Sequence, residues 1–233
     1  MTGPTPLDYP AWRESTLGKI TERLERAVIL DLAGDRSRGD VLDVGCGVGT
    51  YAGVLAAAGA RVTGVDSSLP AARAAARRAQ DASAPFAVVA GDASKLPFDG
   101  ASFDLVIAVT ALCFVGSPAQ AVREIARVLR PGGRLVVGEL GRLSIWAAWR
   151  RVRTWLGSST WRRAAFFTSR ELKGLAEGAG LVPARVRGAV FYPPAGLAAS
   201  VLAPLDPLLG RVTTVGAAFV ALAAEKPGVA AGS

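Results

Sequence analysis

Short, mostly apolar runs alternate with helical segments along the chain. A strand that is buried on both faces is apolar at nearly every position, whereas a strand with one solvated face alternates apolar and polar residues. The runs of this chain are of the first kind, so they predict an α/β fold in which a parallel sheet is covered by helices on both faces. The predicted strands are residues 41–44, 61–65, 86–90, 103–109, 134–138, 186–192 and 215–223.

The helical segments begin and end at recognisable residues. Gly59 follows one segment as a C-cap, and Pro70 lies in the first turn of the next. Two capping boxes, at residues 117–120 and 168–171, each begin a further helix. The predicted helices are residues 12–32, 50–58, 70–80, 118–130 and 169–180.

The composition excludes several kinds of chemistry. The chain has 233 residues with two cysteines and no histidine, so it offers no disulfide framework, no metal ligands at a recognisable spacing and no histidine-based acid–base catalysis. Its net charge of +8 favours acidic partners only weakly, because arginines spread over many helices usually form a solvated face.

The start of the chain and its longest uncharged stretch favour a soluble protein. Charged residues precede the first apolar segment, which argues against a signal peptide. Residues 188–205 carry no charge but contain three prolines, and they are too few to form a spanning helix. Two free cysteines fit a reducing compartment, so we expect a cytoplasmic protein.

The segment 41–49, VLDVGCGVG, joins a buried strand to a helix through three glycines. In open α/β sheets, ligands bind outside the carboxyl ends of the strands. Glycine at this turn would let backbone N–H groups approach a ligand closely. Asp66 ends the next strand, 21 residues after Gly45. Its carboxylate would accept hydrogen bonds from ribose hydroxyls or, alternatively, would only stabilise a helix N-terminus.

Four segments follow one another at 41–49, 62–68, 91–108 and 129–137: VLDVGCGVG, VTGVDSS, GDASKLPFDGASFDLVIA and LRPGGRLVV. Together with FTSRELKGLAEGAGL at 167–181, they resemble the class I S-adenosylmethionine-dependent methyltransferases, in particular the branch related to ubiquinone and menaquinone biosynthesis (type 11 methyltransferase domain). The resemblance covers most of residues 10–185. It implies a Rossmann-like fold with a seven-stranded, mostly parallel sheet and an antiparallel last strand, and it implies S-adenosylmethionine as cofactor.

The resemblance assigns roles to the residues of the glycine turn. Gly45, Gly47 and Gly49 would hold the methionine portion of the cofactor, and Asp43 would order the turn. Cys46 belongs to the same turn, where we expect its side chain to serve in packing.

The next two strand ends would hold the nucleoside. Asp66, with Ser67 beside it, would accept hydrogen bonds from the ribose hydroxyls. Asp92 would accept from the adenine amino group, and the backbone N–H of Ala93 would lie against the ring.

Three further parts of the chain would complete the site. By the same resemblance, the backbone near Val109 and Thr110 would face the amino group of the cofactor, Lys19 would meet its carboxylate, and the segment around Tyr9 would close over it.

Two other functions stay open. A nicotinamide-dependent oxidoreductase would explain the glycine turn and Asp66, but it would leave residues 91–92 and 131–133 without a role. A protein that binds S-adenosylmethionine without catalysis, as a sensor or partner, is the other alternative.

The catalytic residue stays unassigned. Relatives often carry histidine after the fourth strand, where this chain has ALCFV at 111–115. Cys113 would face the acceptor or, alternatively, would be a small buried side chain. Glu139 is the candidate for a base or a polar anchor, and the competing role is a partner for a nearby arginine.

The acceptor is expected to be a small molecule. Methyltransferases that act on amino groups of DNA or RNA carry an Asn/Asp-Pro-Pro-aromatic motif after the fourth strand, and this chain lacks it there. Nucleic acid is therefore disfavoured, and we expect an apolar or aromatic acceptor that is quinone-like, lipid-like or a secondary metabolite.

The segment after the fifth strand is the unusual part of the chain. We expect residues 1–233 to form one methyltransferase domain, with a cap helix at about 11–33 and a lid-like insertion at about 141–166. Ile145, Trp149, Val152 and Leu156 would form one apolar helix face, with Arg150, Arg151 and Arg153 largely off it. The helix would be a lid that lines the acceptor pocket with Trp146, Trp149 or Trp155, a peripheral membrane contact through 142–156, or an ordinary covering helix.

Overall fold

The computed structural model describes residues 12, 14–155 and 164–228, apart from the side chains of residues 153 and 154. Seven strands in these residues form one sheet in the order β3-β2-β1-β4-β5-β7-β6. All neighbouring strands are parallel except for the two pairs that include β7, which are antiparallel, so the predicted fold is confirmed. The strands are β1 (Asp40–Val44), β2 (Arg61–Asp66), β3 (Ala87–Ala90), β4 (Phe103–Val109), β5 (Leu129–Leu140), β6 (Val182–Ala189) and β7 (Phe219–Glu225).

Helices cover both faces of the sheet. Successive residues of β4 show this, because Leu105 and Ile107 belong to one buried cluster while Val106 and Ala108 belong to another on the opposite face. The helices are α1 (Thr16–Ala33), α2 (Thr50–Ala57), α3 (Leu69–Asp81), α4 (Pro118–Val128), α5 (Ile145–Trp155), α6 (Ser169–Glu177), α7 (Gly196–Leu202) and α8 (Asp206–Val212). Of these, α1, α2, α3, α5 and α7 contribute to the first cluster, and α4 and α6 contribute to the second.

One of the two predicted capping boxes is present. Thr168 accepts a hydrogen bond from the backbone N–H of Glu171, whose carboxylate accepts from the backbone N–H of Thr168, so α6 begins as predicted. The capping box at 117–120 is wrong, since the Ser117 side chain makes no capping hydrogen bond. The side chain of Gln120 accepts from Arg123 instead, at 2.8 and 3.2 Å.

Strand β5 begins earlier than the sequence predicts. Leu129 already pairs with Phe103 of β4, and the register shifts before Arg134 pairs with Leu105. Residues 131–133 therefore lie within the strand rather than before it, and α4 ends at Val128.

The last two strands are displaced from their predicted positions. Strand β6 ends at Ala189 because the next residue, Val190, has a φ of 65°. The backbone N–H groups of Val190 and Phe191 donate to the carboxylate of Asp206, both at 2.8 Å, and not to a neighbouring strand. The predicted run at 215–223 begins at a turn, since Gly216 has a φ of 89°, and pairing starts at Phe219.

In the part of the chain that is described, no helix combines the length and the apolar character needed to cross a lipid bilayer.

Candidate cofactor site

The carboxyl ends of β1, β2, β3 and β4 surround a cavity of about 440 Å³. Four turns line it, each of which follows one of these strands. The lining residues are 44–45, 65–67, 91–94, 110–111 and 114–117. The sequence-predicted residues Gly45, Asp66, Ser67, Asp92 and Ala93 are therefore brought together at one cavity.

The glycine turn has a backbone that other residues rarely adopt. Gly45, Gly47 and Gly49 have φ values of 70°, 55° and 77°. A Cβ atom on Gly45 would lie 2.6 Å from the Cβ of Ala111, and one on Gly49 would lie 2.7 Å from the Phe86 ring. A Cβ on Gly47 would meet no atom within 4 Å, so this glycine faces open space. The turn therefore requires glycine for its conformation at all three positions and for close packing at two.

Asp43 is buried at the end of β1 and binds the helix that follows the glycine turn. Its Oδ2 accepts a hydrogen bond of 3.1 Å from the backbone N–H of Ala52, in the first turn of α2. The N-cap residue of α2 is Gly49, which has no side chain for this purpose, so Asp43 satisfies a helix N–H from the strand. Burial raises the pKa of Asp43 to about 7, and the nearby Asp66 carboxylate adds to the shift.

Asp66 links the glycine turn to the end of β2. Its Oδ2 accepts from the backbone N–H of Gly47 and its Oδ1 from that of Ser68, both at 2.8 Å. The side chain is half-buried and lines the cavity, as does Ser67. A carboxylate offers about four lone-pair sites, so two hydrogen bonds leave capacity for a ligand.

Asp92 lies across the cavity from the glycine turn, after β3. Its Oδ1 accepts a hydrogen bond of 2.7 Å from the backbone N–H of Ser94, and its side chain is exposed. The neighbouring Ala93 also lines the cavity.

Strand β4 ends in a strained residue at the cavity. Thr110 has a φ of 49°, which is uncommon for a residue that is not glycine. Its backbone N–H donates to the carbonyl of Gly138 at 2.7 Å, and its Oγ1 donates to the carbonyl of Val109 at 2.8 Å. Of the two predicted residues, Thr110 lines the cavity, whereas Val109 is buried.

Glu139 is fully buried and holds the loop after β4 from below. Its Oε1 accepts from the backbone N–H groups of Ala111 and Leu112, at 3.1 and 2.7 Å, and its Oε2 accepts from that of Cys113 at 3.3 Å. Burial raises the pKa of Glu139 to about 7. The residue is thus a polar anchor of the cavity wall. It does not reach the cavity, so the structure does not support a role as base, and its hydrogen-bond partners are not arginines.

The two cysteines serve in packing. The Sγ of Cys46 lies against Gly64 of β2, where an added Cβ would come within 2.8 Å of it. Cys113 is buried beside Glu139. Burial raises the pKa of both thiols, so both stay protonated. Neither side chain lines the cavity, so the predicted contact of Cys113 with an acceptor is not seen.

The structure does not bring Lys19 to the cavity. Its Nζ lies 3.1 Å from the carboxylate of Glu14, and both side chains are exposed. Tyr9 lies outside the described residues.

Helix α5 turns a different face inward from the one that the sequence predicts. Trp146, Ala147 and Arg150 are buried, whereas Ile145 and Val152 are exposed. The Nε1 of Trp146 donates to the carbonyl of Tyr192 at 2.7 Å. Its ring packs edge-on against Trp12, with 6.5 Å between the ring centroids, and the Arg150 guanidinium lies 5.2 Å from its centroid.

No described residue of α5 lines the cavity. Of the three predicted lining tryptophans, Trp146 is in the core, Trp149 is partly exposed and Trp155 is 87% exposed. Leu156 and the side chain of Arg153 lie outside the described residues.

Sequence reasoning missed the role of one part of the cavity wall and the backbone conformation of another. Residues 114–117 line the cavity with an exposed aromatic side chain, Phe114, at the rim. The sequence feature that could have identified them is their position shortly after a buried strand. The positive φ of Thr110 could not be predicted from its residue type.

A larger cleft of about 830 Å³ lies at the opposite, amino edge of the sheet. Its charges satisfy one another: Arg61 lies 2.7 Å from Asp40, and Arg130 lies 2.8 Å from both Asp40 and Asp104. Hydrogen bonds from Arg61 and then from Arg130 lower the pKa of Asp40 to about 2. This cleft lacks the glycine turn, so we regard it as structural.

Known proteins are similar to this chain both in sequence and in fold. The methyltransferase domain family matches residues 42–137. A ubiquinone biosynthesis O-methyltransferase from Ralstonia nicotianae is 35% identical over 170 residues, which are 70% of this chain and 69% of that protein. A demethylmenaquinone methyltransferase from Beutenbergia cavernae is 42% identical over 118 residues, which are 51% of this chain and 48% of that protein.

A crystal structure from Thermotoga maritima agrees along the whole chain. That protein, described as an S-adenosylmethionine-dependent methyltransferase and possible histamine N-methyltransferase, is 27% identical with a TM-score of 0.77. The match covers 95% of this chain and 96% of the other.

The chain spans only 34% to 65% of the length of the first curated relatives that it matches, so the activity, acceptor and partners of the whole protein are matters for proposal. The strand order, the cavity at the strand ends and the relatives nevertheless agree on the family. The chain belongs to the S-adenosylmethionine-dependent methyltransferases, in a branch related to the ubiquinone and menaquinone biosynthesis methyltransferases, and its cofactor is S-adenosylmethionine.

Proposed function

We propose that this protein transfers a methyl group from S-adenosylmethionine to a small, apolar or aromatic acceptor. The observation that carries the proposal is the convergence of the glycine turn with the carboxylates of Asp66 and Asp92 at one cavity. The relatives support the choice of acceptor, since their names refer to demethylmenaquinone and to ubiquinone biosynthesis. A quinone-like acceptor is therefore our first candidate.

The cavity fits the cofactor in its shape and in the chemistry of its walls. Of the three glycines of the turn, Gly45 lines the cavity, and Gly47 faces open space, so the backbone of the turn would be accessible to the methionine portion. Asp66 retains free lone pairs for the ribose hydroxyls, and the exposed Asp92, which lines the same cavity, would accept from the adenine amino group. Thr110 and the glycine turn would hold the amino acid end.

The residues of the chain would act mainly by alignment. When bound, S-adenosylmethionine supplies an activated methyl group on a sulfonium centre. The protein has to align the acceptor with that group and exclude water. Residues 114–117 form the remaining wall of the cavity, and the exposed ring of Phe114 offers an apolar surface for an aromatic acceptor. Glu139 would keep this wall in place through the three backbone N–H groups that it binds.

The segment after β5 has two proposed roles within a single domain of residues 1–233. The contact of Trp146 with Trp12 supports a lid, because it joins α5 to the segment that precedes the cap helix α1. The exposure of Ile145, Val152 and Trp155 supports a membrane contact through residues 142–156. The predicted cytoplasmic location, with peripheral membrane association, stays a proposal.

A second candidate function is binding of S-adenosylmethionine without catalysis. The burial of Glu139 favours it, because the residue predicted as base cannot reach an acceptor in the cavity. An acceptor that is already nucleophilic would need no such base, so we prefer the enzyme.

The test combines binding with transfer. The purified protein is incubated with S-adenosylmethionine labelled in its methyl group and with a short-chain demethylquinone analogue, and the label in the organic phase is counted. We expect labelled product, together with a thermal shift that corresponds to about 2.7 kcal/mol when the cofactor is present at about 100 times its Kd.

The controls separate the two functions. Asp81→Asn, at the exposed end of α3, serves as the matched variant that keeps transfer. A thermal shift without labelled product from the analogue or from a cell extract would favour the non-catalytic function. A shift with NADH and none with S-adenosylmethionine would overturn both.

A further inference from the structure

The segment 196–212, which contains α7 and α8, turns its small side chains inward and its large apolar side chains outward. The buried positions are Ala199, Ala203, Asp206 and Gly210. The exposed ones include leucines and valines with 40% to 81% of their surface accessible. A surface helix of a globular protein normally buries its large apolar residues. The exposed residues are Leu197, Val201, Leu202, Leu205, Leu208, Leu209 and Val212.

The contacts of α8 fix this orientation. Gly210 packs directly on the backbone of Gly188 in β6, so close that a Cβ on Gly210 would overlap the Gly188 carbonyl oxygen. Asp206 accepts from the backbone N–H groups of Val190 and Phe191. Rotation of α8 would break both interactions, so the leucines cannot turn toward the core.

The outward face of α5 extends this apolar surface. The backbone N–H of Gly216, which follows the exposed Val215, donates to the carbonyl of Leu143 at 2.8 Å, so the two segments adjoin. Thirteen of the seventeen large apolar side chains that are exposed in the described residues lie in 143–155 and 197–215. We call this surface, formed by the exposed apolar residues of these two segments, the apolar face. Monomeric soluble proteins rarely expose contiguous patches of this kind without a partner.

The charges next to the apolar face are positive. Residues 188–216 contain two charged residues, of which Asp206 is buried and Arg211 is exposed. Every charged residue in 141–155 is an arginine. The only carboxylate within these two segments is therefore buried. Among their described arginines, Arg150 is buried and Arg142 pairs with Glu171, so Arg151 and Arg211 are the exposed cations beside the apolar face.

We propose that the apolar face docks on the surface of an anionic lipid bilayer. Leucine and valine side chains would enter the boundary between headgroups and acyl chains, and arginines would contact the anionic headgroups. The exposed Trp149 and Trp155 suit the level of the headgroups, where tryptophan is enriched. A second copy of the chain fits less well, because a two-fold interface would bring the same cationic surface against itself. The proposal does not depend on methyl transfer.

The experiment measures co-sedimentation of the protein with vesicles of phosphatidylcholine, with and without about one third phosphatidylglycerol, at low and high salt. We expect binding to the anionic vesicles that weakens at about 0.5 M salt. The triple variant Leu205→Ser/Leu208→Ser/Val212→Ser should bind at least about tenfold more weakly, because it removes apolar area from the face. Arg211→Glu, which leaves the apolar residues in place, should weaken binding to anionic vesicles alone.

The matched control is Val182→Ser, which alters an exposed apolar residue at the start of β6, outside the apolar face. It should bind vesicles as the unaltered protein does. Circular dichroism and the thermal shift with S-adenosylmethionine establish that each variant is folded. The proposal is overturned if the unaltered protein does not sediment with anionic vesicles at low salt, or if the folded triple variant binds equally well. A dimer in solution that the triple variant converts to monomers, without vesicle binding, would assign the face to a second copy.

Discussion

The carboxylate of Asp66 accepts a hydrogen bond of 2.8 Å from the backbone N–H of Gly47, so the end of β2 holds the glycine turn that follows β1. The same carboxylate lines the cofactor cavity. One side chain therefore both shapes the turn and offers lone pairs to a ligand. A substitution of Asp66 that leaves the protein folded tests its role in ligand binding separately from its role in the turn.

Asp66→Asn should weaken binding of S-adenosylmethionine by more than about tenfold while the protein stays folded. The amide replaces one acceptor oxygen with a donor, and hydrogen bonds to charged groups contribute about 1.5–3 kcal/mol. Titration calorimetry gives the affinity, and Asp81→Asn is the control. Equal affinities for the two variants would remove Asp66 from the site.

Gly45→Ala should destabilise the protein and impair cofactor binding together. The new Cβ would clash with Ala111 in a backbone with a φ of 70°, and the left-handed conformation alone costs about 1–2 kcal/mol for other residues. The control is Gly174→Ala in α6, where nothing lies within 4 Å of the added atom and φ is not positive. This variant should gain about 0.5–1 kcal/mol in the free energy of unfolding. Denaturant titration measures both, and a loss at Gly174 would contradict the argument.

The free energy of unfolding should fall as the pH rises from about 5 to about 8, and the fall should be smaller in Glu139→Gln. Burial raises the pKa of Glu139 from 4.5 to about 7, and that of Asp43 from 3.8 to about 7. A carboxyl group of this kind stabilises the fold below its unfolded pKa, and the contribution is lost as pH rises through the folded value. Carboxyl groups with lowered pKa values, such as Asp40, act in the opposite sense only at lower pH.

Urea unfolding at pH 5 and pH 8 measures this difference. Glu177→Gln, at the exposed end of α6, should keep the fall seen in the unaltered protein. An equal fall in Glu139→Gln would show that Glu139 does not contribute to it.

Thr168→Ala should lower the free energy of unfolding by about 1 kcal/mol, whereas Ser117→Ala should leave it nearly unchanged. Both residues precede a helix, but only the Thr168 side chain accepts a capping hydrogen bond. Thermal unfolding of the two variants provides the comparison. A larger loss at Ser117 would refute the assigned caps.

The sequence predicted the centre of the sheet and the cofactor side of the cavity well. The buried strand at 103–109 was predicted with its observed bounds, because a central strand is apolar on both faces. The glycines at 45, 47 and 49 were identified from their place between a strand and a helix, and the structure shows that all three have positive φ values. These features depend on local residue types.

Features that depend on tertiary contacts were not predictable. Helices α7 and α8 were missed because their large apolar residues face outward, which contradicts the usual amphipathic pattern. The predicted orientation of α5 was wrong for a related reason. Trp146 turns inward because its Nε1 donates to the carbonyl of Tyr192, which is far away in the sequence. The hydrogen-bond partners of Glu139 were also unpredictable. They are backbone N–H groups, which nearly every residue has, so the residue types do not show which of them Glu139 binds.

Arg130 ties three strands together at the amino edge of the sheet. It joins Asp40 of β1 and Asp104 of β4 to its own strand, β5, and Asp40 also holds Arg61 of β2. Ion pairs therefore link four strands at the edge remote from the cofactor cavity. At the opposite rim, Glu139 holds residues 111–113, whereas residues 114–117 contain no charged side chain that could form such a pair. We therefore expect any adjustment to a bound ligand to be concentrated in residues 114–117 and not in the sheet.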